Sequence, residues 1–226
     1  MAHPYWPLYD LVVRTPRVEL RLPDEDELIC LAGLAGAGIH DPGWQPMMGW
    51  TDQPSPQLER GVLHWHWGRR GDWRPEAWNY NPVVLVDGEV AGTQGMFAND
   101  FAKLGVVSTG SWLGRQHQGR GIGTEMRTAI LHLAFAGLGA LQAESGYWHD
   151  NEPSRRVSER LGYEPNGERW LLRRDVRDRE QEVRLTRTAW ELGRRDDIEV
   201  LGLEPCLELF GAPPCAPAGA PATTSE

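Results

Sequence analysis

The sequence predicts an α+β fold in which helices flank one mixed sheet. Three observations predict it. Residues 108–136, STGSWLGRQHQGRGIGTEMRTAILHLAFA, read as a strand, a glycine-rich loop and a long helix. Asp87-Gly88, the strongest hairpin signal in the chain, joins two runs of strand-forming residues. After residue 139 a second strand is followed by a second helix, so strands and helices interleave without the strict repetition of a parallel α/β sheet.

The elements follow in order. Leu11 to Arg14 and Val18 to Leu22 alternate apolar and polar residues around Thr15-Pro16 and read as two short strands. Asp24 is a plausible N-cap with Glu27 three residues on, and Leu28, Ile29, Leu31, Ala32 and Ala35 give that helix an apolar face before Gly36 to Gly38 end it. A long segment rich in Trp, Pro and Met runs to Pro56, and a loop of that length is more often functional than idle. Ser55-Pro56 opens a second helix to about Gly71, with Trp65 and Trp67 expected in the core. Asn81 to Val86 and Glu89 to Phe97 form the hairpin, and Val106 to Leu113 is the next strand, rich in β-branched and aromatic residues. The long helix has Met126, Ala129, Ile130, Leu133 and Ala134 near helical spacing from Thr124 onward. Ala140 to Tyr147 is a strand. Asn151 caps a helix that has Pro153 in its first turn and Gly162 at its end. Trp170 to Arg174 and Glu182 to Leu185 read as a last hairpin. Residues 212–226 are low-complexity and are expected to be disordered, leaving residues 1–211 as a single domain.

Composition narrows the function. The 226 residues suffice for one sizeable core. A net charge of −9 argues against a nucleic-acid partner, which needs a basic face. Cys30, Cys206 and Cys215 show no paired spacing, so neither a metal site nor a disulfide framework is signalled. The first residues lack a basic and apolar leader, and no stretch approaches 18 uninterrupted apolar residues. A cytoplasmic protein without membrane contact is the expectation.

The loop carries the chemistry. Glycines 119, 121 and 123 alternate with Arg120 and Ile122 directly before a helix. Glycine lets backbone amides approach an anion, and a helix start adds unpaired N–H groups and a favourable dipole. The dinucleotide fingerprint needs G-x-G-x-x-G, and a P-loop needs a terminal Gly-Lys-Ser/Thr; neither is present. Gln118-Gly119-Arg120-Gly121-Ile122-Gly123 instead resembles the Q/R-x-x-G-x-G/A motif of the GNAT superfamily of acyl-CoA-dependent N-acyltransferases. Asn151-Glu-Pro-Ser154 with Leu161-Gly162-Tyr163 resembles a second segment of that family. The Thr15-Pro16-Arg17-Val18-Glu19-Leu20-Arg21 run is similar to the RimJ/RimL-type branch. Within that branch the chain resembles actinobacterial members, among them a mycobacterial protein associated with succinyl-CoA. The resemblance spans roughly residues 10 to 211.

That resemblance implies a fold, a donor and a set of site residues. The fold would be the GNAT fold, with a central, mixed, mostly antiparallel sheet. Acetyl-CoA or succinyl-CoA would be the donor, and a primary amine (a protein N-terminus, a lysine or a small molecule) the acceptor, with no metal. Trp112 and Leu113 would pair with the pantetheine arm. Gln118, Gly119, Arg120, Gly121, Ile122, Gly123 and Thr124 would hold the pyrophosphate. Asn151 and Ser154 would contact pantetheine or adenosine. Ser158 stands where many relatives carry a tyrosine and would donate a hydrogen bond to the departing sulfur. Glu144 is one candidate base; His149, Asp150, His40 and Asp41 are others, since an imidazole near its ordinary pKa suits proton removal. His40, Asp41 and Trp50 would face the acceptor. A sensor that binds acyl-CoA without turnover, and an enzyme of small-molecule tailoring or self-resistance, are the alternatives; a homodimer is compatible with each.

Overall fold

The computed structural model describes residues 3–41 and 49–213. The expected disordered tail therefore lies outside the described residues, apart from its first two positions. In chain order the elements are β1 (Val12–Arg14), β2 (Glu19–Arg21), α1 (Glu25–Gly36), α2 (Gln57–Gly71), β3 (Ala77–Tyr80), β4 (Val83–Val86), β5 (Glu89–Asn99), α3 (Phe101–Leu104), β6 (Val106–Leu113), α4 (Ile122–His132), β7 (Gln142–Trp148), α5 (Glu152–Arg160), β8 (Glu164–Arg173), β9 (Val176–Thr186), α6 (Arg187–Leu192) and β10 (Glu199–Leu201). Among the described residues ten strands form one sheet in the order β10-β1-β2-β4-β5-β6-β7-β9-β8, and β3 pairs with the far half of β5. Every pairing is antiparallel except β6 with β7. The sheet is the mixed, mostly antiparallel one expected.

Local chemistry explains the elements. Asp24 and Glu27 form a reciprocal capping box at the start of α1, satisfying two orphan amides. Asn151 accepts the Ser154 amide and caps α5. Two apolar clusters lie on opposite faces of the sheet. The larger joins α4 to one face through Met126, Ala129, Ile130, Val107 and Ala143. The smaller packs α1 and α2 on the other through Leu28, Leu31, Leu58 and Val62, with Trp112 against it.

Three features depart from the sequence reading. Trp65 and Trp67 are 44% and 46% exposed, not core; α2 buries Leu58, Val62 and His66 instead, and the tryptophans fall on its outer side. Strand β3 had no sequence signal, because Trp78 and Tyr80 gain their burial from β5 and from Phe210 rather than from a local pattern. The last hairpin is much longer than expected, since its charged positions pair across strands: Arg169 with Glu180, Arg179 with Glu168, and Arg184 with Glu164. The C-terminal segment is integral to the fold. β10 pairs with β1, Phe210 is fully buried, and the indoles of Trp73 and Trp78 donate to the carbonyls of Leu209 and Phe210.

Candidate functional site

β6 and β7 run parallel but pair only over Val106–Ser108 and Gln142–Glu144. Beyond that point the two strands part. At the parting, hydroxyls continue the cross-strand bonding: Thr109 Oγ1 donates to the Glu144 carbonyl (3.3 Å) and Ser145 Oγ to the Thr109 carbonyl (3.1 Å). A wedge thus opens towards the C-terminal ends of both strands. Peptide groups along such an edge are able to pair with an extended amide-bearing ligand.

The glycine loop stands at the mouth of this wedge, between β6 and α4. Gly119 (φ 71°) and Gly121 (φ 79°) adopt left-handed backbone that glycine alone enters without strain. A Cβ built on Gly119 would meet nothing within 4 Å, so the loop faces open space. Gly121 caps α4, whose first amides lack intrahelical acceptors. Arg17, from the turn between β1 and β2, reaches over the loop. Its Nη2 donates to the Arg120 carbonyl (2.8 Å) and its Nη1 lies 3.4 Å from where a Gly121 Cβ would stand. Arg17 therefore brings positive charge to the amide cradle, and this cradle suits a di-anionic phosphate group. Sequence reasoning missed Arg17 because 103 residues separate it from Arg120.

Gln118 occupies a different place from the amides. Its side-chain amide donates to the carbonyls of Leu113 (2.8 Å) and Ile39 (2.7 Å), tying the end of β6 to the chain beyond α1. Ile122 is buried beneath the loop. Gly123 lets α5 approach, with Val157 Cγ2 at 3.8 Å from its would-be Cβ.

α5 lies on the α4 side of the sheet. Ser158 is 2% exposed, and among the described residues its Oγ has no hydrogen-bond partner. A buried hydroxyl left unpaired is costly. Asn151 and Ser158 are seven residues apart and share a helix face.

Glu144 lies on the opposite face. Ser145 contacts α4 through Arg127, and alternation along β7 turns Glu144, Gly146 and Trp148 away from it. Glu144 Oε1 accepts from Gln142 Nε2 (2.8 Å) at the closed end of the wedge. Ser158 and Glu144 are thus separated by the sheet. His149 and Asp150 are held in an ion cluster: His149 Nδ1 lies 3.2 Å from Asp178, and Arg173 bridges Asp150 (2.9 Å) and Asp178 (3.0 Å). The Arg179 amide donating to Asp178, helped by Arg173 and His149, holds that carboxyl below its ordinary value.

Residues 49–52, before α2, lie over the same face of the sheet as Glu144. Trp50 packs on Trp112 of β6, with ring centroids 6.1 Å apart. His40 Nε2 lies 3.1 Å from Thr51 Oγ1, joining the two ends of the α1–α2 connection whose residues 42–48 fall outside the described residues. Asp41 is exposed, 3.8 Å from Arg115. Asp52 forms a two-point ion pair with Arg174 at the tip of the β8–β9 hairpin, one contact being 2.6 Å. His40, Trp50 and Asp52 therefore line one roof. Glu180, which sequence reasoning did not single out, lies on this same face. It is 2% exposed, bonded to Arg169 (2.7 Å), and its carboxyl carbon would be 2.8 Å from a Cβ on Gly146. Only the pairing of β9 with β7 puts it there.

A sheet split between two parallel strands, with a glycine loop and a helix start at the mouth of the split, is a shape suited to an extended, phosphate-bearing ligand. The acetyltransferase (GNAT) domain family matches residues 17–164, and the chain belongs to that family. Solved structures share the fold. Mycobacterium smegmatis RimJ in complex with CoA-disulfide is 20% identical with a TM-score of 0.63, covering 83% of this chain and 97% of that one. RimL, a ribosomal alpha-N-protein acetyltransferase in complex with coenzyme A, is 17% identical with a TM-score of 0.62 over 77% and 97% of the two chains. MccE, a microcin self-immunity acetyltransferase in complex with acetyl-CoA and AMP, is 15% identical with a TM-score of 0.58 over 76% and 93%. No helix among the described residues is long and apolar enough to cross a membrane.

Proposed function

We propose that the protein transfers an acyl group, acetyl by default, from acyl-CoA to a primary amine by direct attack in a ternary complex. The observation that carries this reading is the wedge between β6 and β7 with the Gly119–Thr124 cradle at its mouth. The cradle amides, Arg17 and Arg120 bind the pyrophosphate. The free peptide edges of β6 (Trp112, Leu113) and β7 orient the pantetheine arm, and Asn151 and Ser154 guide it from the start of α5. The unpartnered Ser158 hydroxyl fits the donor's sulfur, to which it donates a hydrogen bond as thiolate charge develops. The roof of Trp50 and Trp112 excludes water from the opposite side, where the amine enters. The amine must lose a proton to attack. Glu180 and Glu144 supply the carboxylates on that face, and Glu180 is the buried one. RimJ, RimL and MccE support a coenzyme A donor, and the acceptor is a protein N-terminus, a lysine or a small molecule. A succinyl carboxylate entering the site would need a cation or several donors of its own, whereas an acetyl methyl needs neither, so acetyl is preferred. Intact-mass measurement of candidate amines with acetyl-CoA and succinyl-CoA in parallel tests the reaction. Gly121→Val tests the site: a β-branched side chain at φ 79° disrupts the cradle and lowers acetyl-CoA affinity at least tenfold. Unchanged affinity in a folded variant sinks the assignment.

A further inference from the structure

Arg127, on α4, is a buried cation that the proposed reaction does not use. It is 5% exposed, and among the described residues no carboxylate forms an ion pair with it. Its contacts are neutral oxygens on three successive strands: Nε with Gln94 Oε1 of β5 (3.4 Å), Nη2 with Ser111 Oγ of β6 (3.2 Å) and Nη1 with Ser145 Oγ of β7 (3.1 Å). Ser111 and Ser145 lie on either side of the parting, just past the last paired residues Ser108 and Glu144. Gln94 is itself fully buried and donates back to the Gly110 carbonyl of β6.

Burying a guanidinium without a counter-ion is expensive, and a neutral side chain would make a cheaper cross-link. What arginine offers is a flat, rigid fork whose two Nη atoms sit at a fixed separation. Spanning β6 and β7 at the apex of the wedge, that fork sets how far apart the strands stand where no backbone bond sets it. We propose that Arg127 is a positioning residue: it props β6 and β7 at the width that admits the pantetheine arm between them. This rests on the acyl-CoA reading and adds to it a determinant of donor binding that lies behind the strands rather than in the loop.

The test separates the two halves of the donor. Coenzyme A carries the arm; 3′-phosphoadenosine 5′-diphosphate carries the phosphates without it. With Arg127→Met, calorimetry is expected to show coenzyme A binding weakened about tenfold or more, with 3′-phosphoadenosine 5′-diphosphate bound as by the unmodified protein. Arg127→Lys, which keeps the charge and loses the fork, is expected to resemble Arg127→Met. Ser111→Ala removes the Arg127 contact on β6 while leaving the helix, the cation and the Ser145–Thr109 bond in place, and is expected to give a smaller loss in the same sense, so the inference is testable even if Arg127→Met does not fold. Equal weakening of both ligands, or no change for either, would overturn it. Failure of the unmodified protein to bind coenzyme A is a different result and would overturn the acyltransferase reading instead.

Discussion

Replacing Ser158 with alanine is expected to make the protein more stable and the reaction slower. The hydroxyl is 2% exposed and has no partner among the described residues, so the folded state carries a desolvated donor that the unfolded chain hydrates. Leaving such a group unsatisfied costs about 1–3 kcal/mol, and alanine removes it while adding no atoms to a packed site. For a chain of this length each kcal/mol moves Tm by about 2–4 °C, so a rise of at least about 2 °C is expected without ligand. Turnover moves the other way. The hydroxyl's partner is the sulfur as it gains charge, so its loss falls on kcat and spares acyl-CoA affinity. A thiol leaves partly unaided, with an ordinary pKa of about 8.5, which points to roughly a tenfold fall, or about 1.4 kcal/mol of activation free energy. Differential scanning fluorimetry and steady-state kinetics on the same preparation read both quantities. Unchanged kcat would refute the role at the sulfur whatever the Tm does. An unchanged or lower Tm would refute the claim that the hydroxyl is held unpaired.

Two further outcomes are expected. Arg17→Ala removes an exposed cation from the anion cradle; coenzyme A affinity should fall several-fold, with a weaker dependence on salt concentration, while Tm stays within about 1 °C, as measured by calorimetry at two ionic strengths. His66, 3% exposed on α2, has its pKa pushed down to about 4 by burial, assisted by Arg70. Its folded value lies below its unfolded one, so the unfolded chain binds the extra proton between about pH 6.5 and 4. Stability is therefore full above pH 6.5 and declines as pH falls through that window, by at most about 3 kcal/mol. His66→Gln should flatten the fall in urea midpoint between pH 6.5 and 4.5. An equally steep profile in the variant would show that another group titrates there.

Much of this protein is determined locally and was therefore legible in its sequence. The capping box at Asp24 and Glu27, the Asp87-Gly88 turn, the Asn151 cap and the glycine alternation at 119–123 each bring their partners within a few residues. Those signals give the element order and the resemblance. That Ser158 shares a helix face with Asn151 is local for the same reason, since helical period alone puts it there. Features that depend on strand pairing were not. The side of the sheet that Glu144 faces follows from β7 alternation anchored by Arg127, which no local pattern reveals. Arg17 reaches the loop across 103 residues, and Glu180 comes to Gly146 only because β9 lies beside β7. The sequence signals of β8 and β9 are faint because their stabilising partners are cross-strand ion pairs, and the hairpin turns at Arg174-Asp175, two non-glycine residues at positive φ. The separation of β6 from β7 is decided last of all. It depends on where hydrogen bonding between the two strands stops, beside the contacts that Arg127 of α4 makes to Ser111 and Ser145, and no segment shows that by itself.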